Sequence, residues 1–105
     1  MDVKEISPEE LYENSENYQL IDVRSEEEFS GELGHIEGAE LITLGEDLDE
    51  WVEDADKDAP TVFICRSGSR SGKATMLAME NDFTDAYNMT GGMIAWNELG
   101  YETEK

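Results

Sequence analysis

The 105 residues predict a single α/β layered domain, and three observations carry that expectation. Short apolar runs of strand length recur along the chain. Segments with apolar residues at helical spacing alternate with them. The length holds one hydrophobic core and no more, so the domain is expected to span residues 1–105.

Taken in order, Val3 to Ile6 suits a short first strand. Ser7-Pro8-Glu9-Glu10 reads as a capping box with proline at the first helical position, starting a helix that runs to about Asn14. Tyr18 to Val23 is a strand. Ser25-Glu26-Glu27-Glu28 is a second capping box, and its three glutamates suit the positive end of a short helix through Phe29. Glu40 to Thr43 is a third strand. Leu44, Leu48, Trp51, Val52 and Ala55 then recur at helical spacing, with an acidic outer face. Thr61-Val62-Phe63-Ile64 suits a buried strand. After a short loop, Gly72 to Met79 reads as a helix with Ala74, Leu77, Ala78 and Asn81 on one face. Asp85 to Met89 is a last strand, Thr90-Gly91-Gly92 a turn, and Met93 to Leu99 a final helix closed by Gly100. Met76, Met79, Met93, Trp51 and Trp96 are expected in the core.

The stretch Cys65-Arg66-Ser67-Gly68-Ser69-Arg70-Ser71 carries the chemistry. It brings the only cysteine to the end of the buried strand and follows it with serines, a glycine and two arginines. A lone cysteine is usually a small packed hydrophobe. A packed cysteine has no need of two guanidinium groups and a polar loop directly after it. Loop and helix-start N–H groups, the helix dipole and nearby cations all favour the thiolate, the nucleophilic form.

Composition narrows the partners. There are 27 Asp and Glu against 7 Lys and Arg, a formal net charge of −20, which argues against nucleic-acid binding because phosphate contacts need clustered cations. Hydrophobic residues make up 38% and fall in periodic runs, which argues for a folded domain over an acidic disordered chain. Such a surface resembles that of proteins adapted to molar salt, where screening relieves self-repulsion. The three arginines, Arg24, Arg66 and Arg70, are concentrated in the motifs, as expected where an anion is held.

No run approaches the ~20 apolar residues that cross a bilayer, so no membrane partner is expected. Residues 1–5 lack the pattern of a signal peptide, and one cysteine forms no internal disulfide, so the expectation is a cytoplasmic protein. Residues 54–58 imitate the start of a calcium loop, but Ala59 stands at the glycine position and Cys65 at that of the bidentate glutamate. One Cys and one His make no zinc cluster. Residues 68–74 imitate a nucleotide-binding loop with one residue too few and Ala74 in place of the magnesium-binding hydroxyl.

The cysteine loop closely resembles the active-site loop of the rhodanese-like sulfurtransferases. Ile21-Asp22-Val23-Arg24, then Gly34-His35-Ile36-Glu37-Gly38-Ala39, resemble that family's Asp-Val-Arg and Gly-His-Ile-x-Gly-Ala signatures. Gly91-Gly92-Met93-Ile94-Ala95-Trp96 resembles its C-terminal signature. The segments occur in family order across nearly the whole chain. Two departures are a loop, Ser30 to Leu33, about two residues longer than the family pattern, and Glu37 in place of a common proline.

The resemblance implies a five-stranded, mainly parallel sheet with helices on both faces and the active loop at the carboxyl ends of the strands. It implies a Cys65 nucleophile that takes the outer sulfur of thiosulfate or a persulfide. The sulfur then passes to a thiol, to cyanide or to a sulfur-relay protein, with no cofactor. Arg66, Ser67, Gly68, Ser69 and Arg70 are the expected substrate-binding residues, Gly68 allowing the tight curvature and the arginines meeting the donor's anionic group. Structural roles are implied for His35, packed and hydrogen-bonded; for Asp22, tying down a loop; and for Arg24, pairing with an acid such as Glu28. Two rival readings remain. A cysteine phosphatase or arsenate reductase is disfavoured by Ile64 before the cysteine and by four residues, not five, between Cys65 and Arg70. A persulfide carrier or binding module for one partner protein is not separated from an enzyme by sequence.

Overall fold

The computed structural model describes residues 2–105; Met1, which the sequence reading placed at the start of the domain, lies outside them. Its middle strand is the one that leads into the cysteine. The elements run β1 (Glu5–Ile6), α1 (Pro8–Asn14), β2 (Gln19–Asp22), α2 (Glu26–Phe29), β3 (Glu40–Leu41), α3 (Glu46–Asp54), β4 (Thr61–Ile64), α4 (Ser69–Glu80), β5 (Ala86–Met89) and α5 (Gly92–Glu98). The five strands form one sheet in the order β1-β5-β4-β2-β3. All four pairings are parallel, as expected where helical crossovers link the strands.

Because successive side chains leave a strand on opposite faces, β4 feeds two cores. Val62 and Ile64 join Ile6, Leu11, Leu20, Met89, Met93 and Trp96 beneath α1 and α5. Phe63 and Cys65 join Ile21, Leu48, Val52, Ala74 and Ala78 beneath α3 and α4. The expected arrangement, a parallel sheet covered on both sides, is what forms.

Most departures from the sequence reading lie at element ends. The outer strands are shorter than the runs Val3 to Ile6 and Glu40 to Thr43, since an edge strand has a partner on one side only. A short 3-10 turn, Ser15–Asn17, extends α1 without a signal in the sequence. Ser25 and Glu28 form the full reciprocal capping box, whereas Ser7 makes only the half in which its hydroxyl accepts from the Glu10 N–H. The larger correction concerns α4, which starts three residues before Gly72 and buries Ser71, Ala74, Thr75 and Ala78. Met76, expected in the core, is exposed on its outer face, and Leu77 and Asn81 are half-buried. Small residues on the inner face let the helix lie close on the sheet, and they carry the polar Ser71 to the end of β4.

Candidate functional site

Three loops meet at the carboxyl edge of the sheet: Val23–Ser25 after β2, Cys65–Gly68 after β4 and Thr90–Gly91 after β5. They correspond to the three sequence signatures, so segments far apart in the chain become one surface.

The Cys65 loop is shaped by what its carbonyls do. Those of Cys65 and Arg66 accept hydrogen bonds from the N–H groups of Met93 (2.9 Å) and Ile94 (3.0 Å), near the start of α5. That helix approaches so closely that a Cβ on Gly92, whose φ is +59°, would lie 2.5 Å from the Arg66 carbonyl carbon. With those carbonyls engaged away from the sulfur, the Gly68 N–H donates to Cys65 Sγ at 3.0 Å. Gly68 itself sits at φ +105°, the left-handed turn that leads into α4. Ser71, in the first turn of α4, brings its hydroxyl within 3.2 Å of the sulfur. Burial pushes the Cys65 thiol up. The Ser71 hydroxyl and the N–H groups of Ser71, Gly68 and Ser67 more than offset that and bring it below the ordinary cysteine value. Cys65 is 1% exposed, and its sulfur lies within a cradle of donors that suits an anion.

The sequence-predicted residues fall into three groups. Cys65, Gly68 and the backbone of Ser67 form the cradle. Arg66, Ser67 and Ser69 carry exposed side chains around it. Arg70 makes a bidentate pair with Glu28, at 2.7 and 2.8 Å. Those hydrogen bonds hold the Glu28 carboxyl down at about 2, with help from Ser25 and against partial burial. Arg70 in turn is kept charged chiefly by Glu28, against some desolvation, with smaller effects from the negative charges of Cys65 and Asp22.

Arg24 is a correction. It pairs with Asp22, not with Glu28: its Nε and Nη2 donate to the two carboxylate oxygens at 2.9 and 2.8 Å, and Nη2 also donates to the Gly34 carbonyl at 2.7 Å. Two residues apart at a strand end, the pair closes locally and is wholly buried. Asp22 and Arg24 together tie the loop of Gly34 to β2. His35 takes the packed role implied for it: Nδ1 lies 2.8 Å from the Phe29 carbonyl and the ring stacks on Phe29.

The loop after α2 helps to line a cavity beside the site. Gly31, Glu32 and Leu33 join Arg24, Glu27, Glu28 and Arg66 around a cavity of about 310 Å³. Among its lining guanidinium groups, Arg66 is the exposed one. Sequence reasoning missed the Arg70–Glu28 pair and Asn88, whose side chain meets the Ser71 hydroxyl and the Gly68 carbonyl; a polar residue inside an otherwise apolar strand was the one available signal for Asn88. Among the described residues, no group of three or more His, Cys, Asp or Glu is placed to hold a metal ion, and no helix is long and apolar enough to cross a membrane.

A parallel sheet with a cysteine cradle at its carboxyl edge is the frame of an α/β domain built to hold an anion on a thiol. The Rhodanese-like domain model matches residues 7–99, and the chain belongs to that family. YtwF of Bacillus subtilis is 43% identical over 99 residues, covering 91% of this chain and 92% of that protein. The thiosulfate sulfurtransferase GlpE of Shewanella oneidensis is 34% identical over 97 residues, covering 90% and 93%. A crystal structure of a rhodanese-like domain protein from Staphylococcus aureus superposes with a TM-score of 0.82 at 30% identity, covering 98% of this chain and all of that one.

Proposed function

We propose that the protein is a sulfurtransferase that carries sulfane sulfur as a persulfide on Cys65. The observation that carries this reading is the Gly68 N–H at 3.0 Å from Cys65 Sγ, in a loop whose carbonyls are held away by α5. With thiosulfate, the Cys65 thiolate attacks the outer sulfur; the new bond is Cys65 S–S, the S–S bond of thiosulfate breaks, and sulfite leaves with its electron pair. The persulfide anion then occupies the region served by the loop N–H groups, as an oxyanion occupies its hole. Attack by cyanide or a thiolate on the terminal sulfur returns the Cys65 thiolate. No step needs a metal or an organic cofactor.

Arg66 is the exposed guanidinium that meets an incoming anion first. Arg70 adds its charge through or in exchange with Glu28, and Ser67 and Ser69 add hydroxyl donors. GlpE is named a thiosulfate sulfurtransferase, and its likeness along nearly the whole chain supports the same donor class here. A persulfide borne by another protein would use the same cradle.

Intact-mass spectrometry after thiosulfate treatment tests the reading. One added sulfur, about 32 Da, on Cys65 and its loss on cyanide addition are expected from the thiolate chemistry. Sulfur transfer at the wild-type rate by Cys65→Ser would refute it.

A further inference from the structure

Ser71 has one hydroxyl hydrogen and two acceptors. Its Oγ lies 3.2 Å from Cys65 Sγ and 2.5 Å from Asn88 Oδ1. An amide oxygen carries no proton, so the contact with Oδ1 requires the Ser71 hydrogen. The amide cannot simply be turned round. Its nitrogen donates to the Gly68 carbonyl at 3.1 Å and faces Glu5 Oε2 at 3.5 Å, so a reversed amide would set its oxygen against two other oxygens. Parallel pairing of β1 with β5 sets Glu5 opposite Asn88 and fixes this arrangement. Asn88 is 6% exposed and Ser71 fully buried, so water does not resolve the competition.

We propose that Asn88 is a positioning residue that sets the direction of the Ser71 hydroxyl and so regulates the Cys65 nucleophile. With the thiol protonated, Ser71 donates to Asn88 and presents its lone pairs to the S–H. When the sulfur is a thiolate or persulfide anion, the hydroxyl turns from Asn88 to the sulfur. Each formation of the anion therefore gives up the Ser71–Asn88 bond. That cost opposes part of what the cradle does for the anion, and the backbone N–H of Gly68 remains the donor that serves the anion without rearrangement. The charged groups on the elements around the loop are Arg66 in the loop itself, Arg70, Lys73 and Glu80 of α4, Glu26, Glu27 and Glu28 of α2, Asp22 at the end of β2 with Arg24 after it, Glu5 of β1 and Glu98 of α5. They are unchanged in the variants below.

The inference rests on Cys65 being the nucleophile, but its test reads alkylation, so it can fail or hold apart from sulfur transfer. The rate of reaction with iodoacetamide against pH gives the midpoint for Cys65, in protein whose folding is checked by thermal melting. Asn88→Leu frees Ser71 to donate to the sulfur permanently, and the midpoint should fall by about 0.5–1 pH, the scale of the one neutral hydrogen bond, Ser71–Asn88, that no longer has to be given up. In a Ser71→Ala background the same change should leave the midpoint where it was, since the effect passes through the hydroxyl. If Asn88→Leu does not fold, Asn88→Val, which suits a strand, takes its place with the same expected sign. A midpoint unchanged or raised by the apolar variant would overturn the proposal, because a merely structural role loosens the cradle and raises it. So would a fall that persists with Ser71→Ala.

Discussion

Two arginine–carboxylate pairs stand at the carboxyl edge of this sheet, and they differ in one respect. Arg24 and Asp22 have side chains 1% and 0% exposed, while Arg70 and Glu28 are 38% and 30% exposed. Both pairs are bidentate. The buried one has further bonds: the Arg24 N–H also donates to Asp22, and Gly34 accepts from the guanidinium. Neither partner can leave without stranding the other. The half-exposed pair has water on one side, so Arg70 can exchange Glu28 for another anion at small cost. Burial turns the same chemistry into a fastener in one place and an adjustable charge in the other.

The largest effect that would break this comparison is on stability. Arg24→Met leaves Asp22 buried without its partner and should destabilise the fold by about 3–5 kcal/mol. Thermal melting would show this as a fall of well over 10 °C, since ~1 kcal/mol moves a domain of this size by roughly 4–8 °C. A loss no larger than that of Arg70→Ala would mean that burial does not separate the two pairs.

The contrast bears on how far the sequence could be read. The fold was legible because β4, α4 and the strand–helix alternation are local patterns, and the three signatures sit at three strand ends. The pairing of the arginines was not. Arg70 and Glu28 are 42 residues apart, and only the adjacency of β2 and β4 brings α2 against the start of α4. Ser69-Arg70-Ser71 looked like loop because hydroxyl residues are as common in turns as at helix starts. The left-handed Gly68 is what lets α4 begin there and carry Ser71 under the sulfur. Asn88 offered one signal, a polar residue in an apolar strand, but its three partners lie on β1, the cysteine loop and α4, and no spacing in the sequence relates them.

A second effect, smaller in energy, concerns catalysis. Arg70→Ala should lower kcat/KM with thiosulfate by roughly one to two orders of magnitude, the cost of about 1.5–3 kcal/mol for a charge-assisted bond. Its unfolding free energy should change by about 1 kcal/mol or less. Steady-state kinetics beside urea unfolding separates the two. Wild-type kinetics would show that the backbone cradle alone holds the donor and that Arg70 serves only Glu28.

The smallest effect is the pH dependence of the exposed pair, and its sign is fixed. The Glu28 carboxyl is held at about 2 in the folded protein against an ordinary value near 4.5, chiefly by the Arg70 hydrogen bonds. A carboxyl lowered on folding contributes stability that is fully present above 4.5 and disappears as pH falls towards 2. With both side chains partly in water, screening limits that contribution to about 1 kcal/mol or less. Absolute stability is the wrong readout, because acid also relieves repulsion among the many other carboxylates of a chain with net charge −20. The difference between wild type and Glu28→Gln cancels that background. Urea unfolding should give a difference of up to ~1 kcal/mol at pH 7, shrinking steadily between pH 4.5 and pH 2. A difference that stays constant across that range would mean that Glu28 stabilises the fold through its capping of α2 and not through its charge on Arg70.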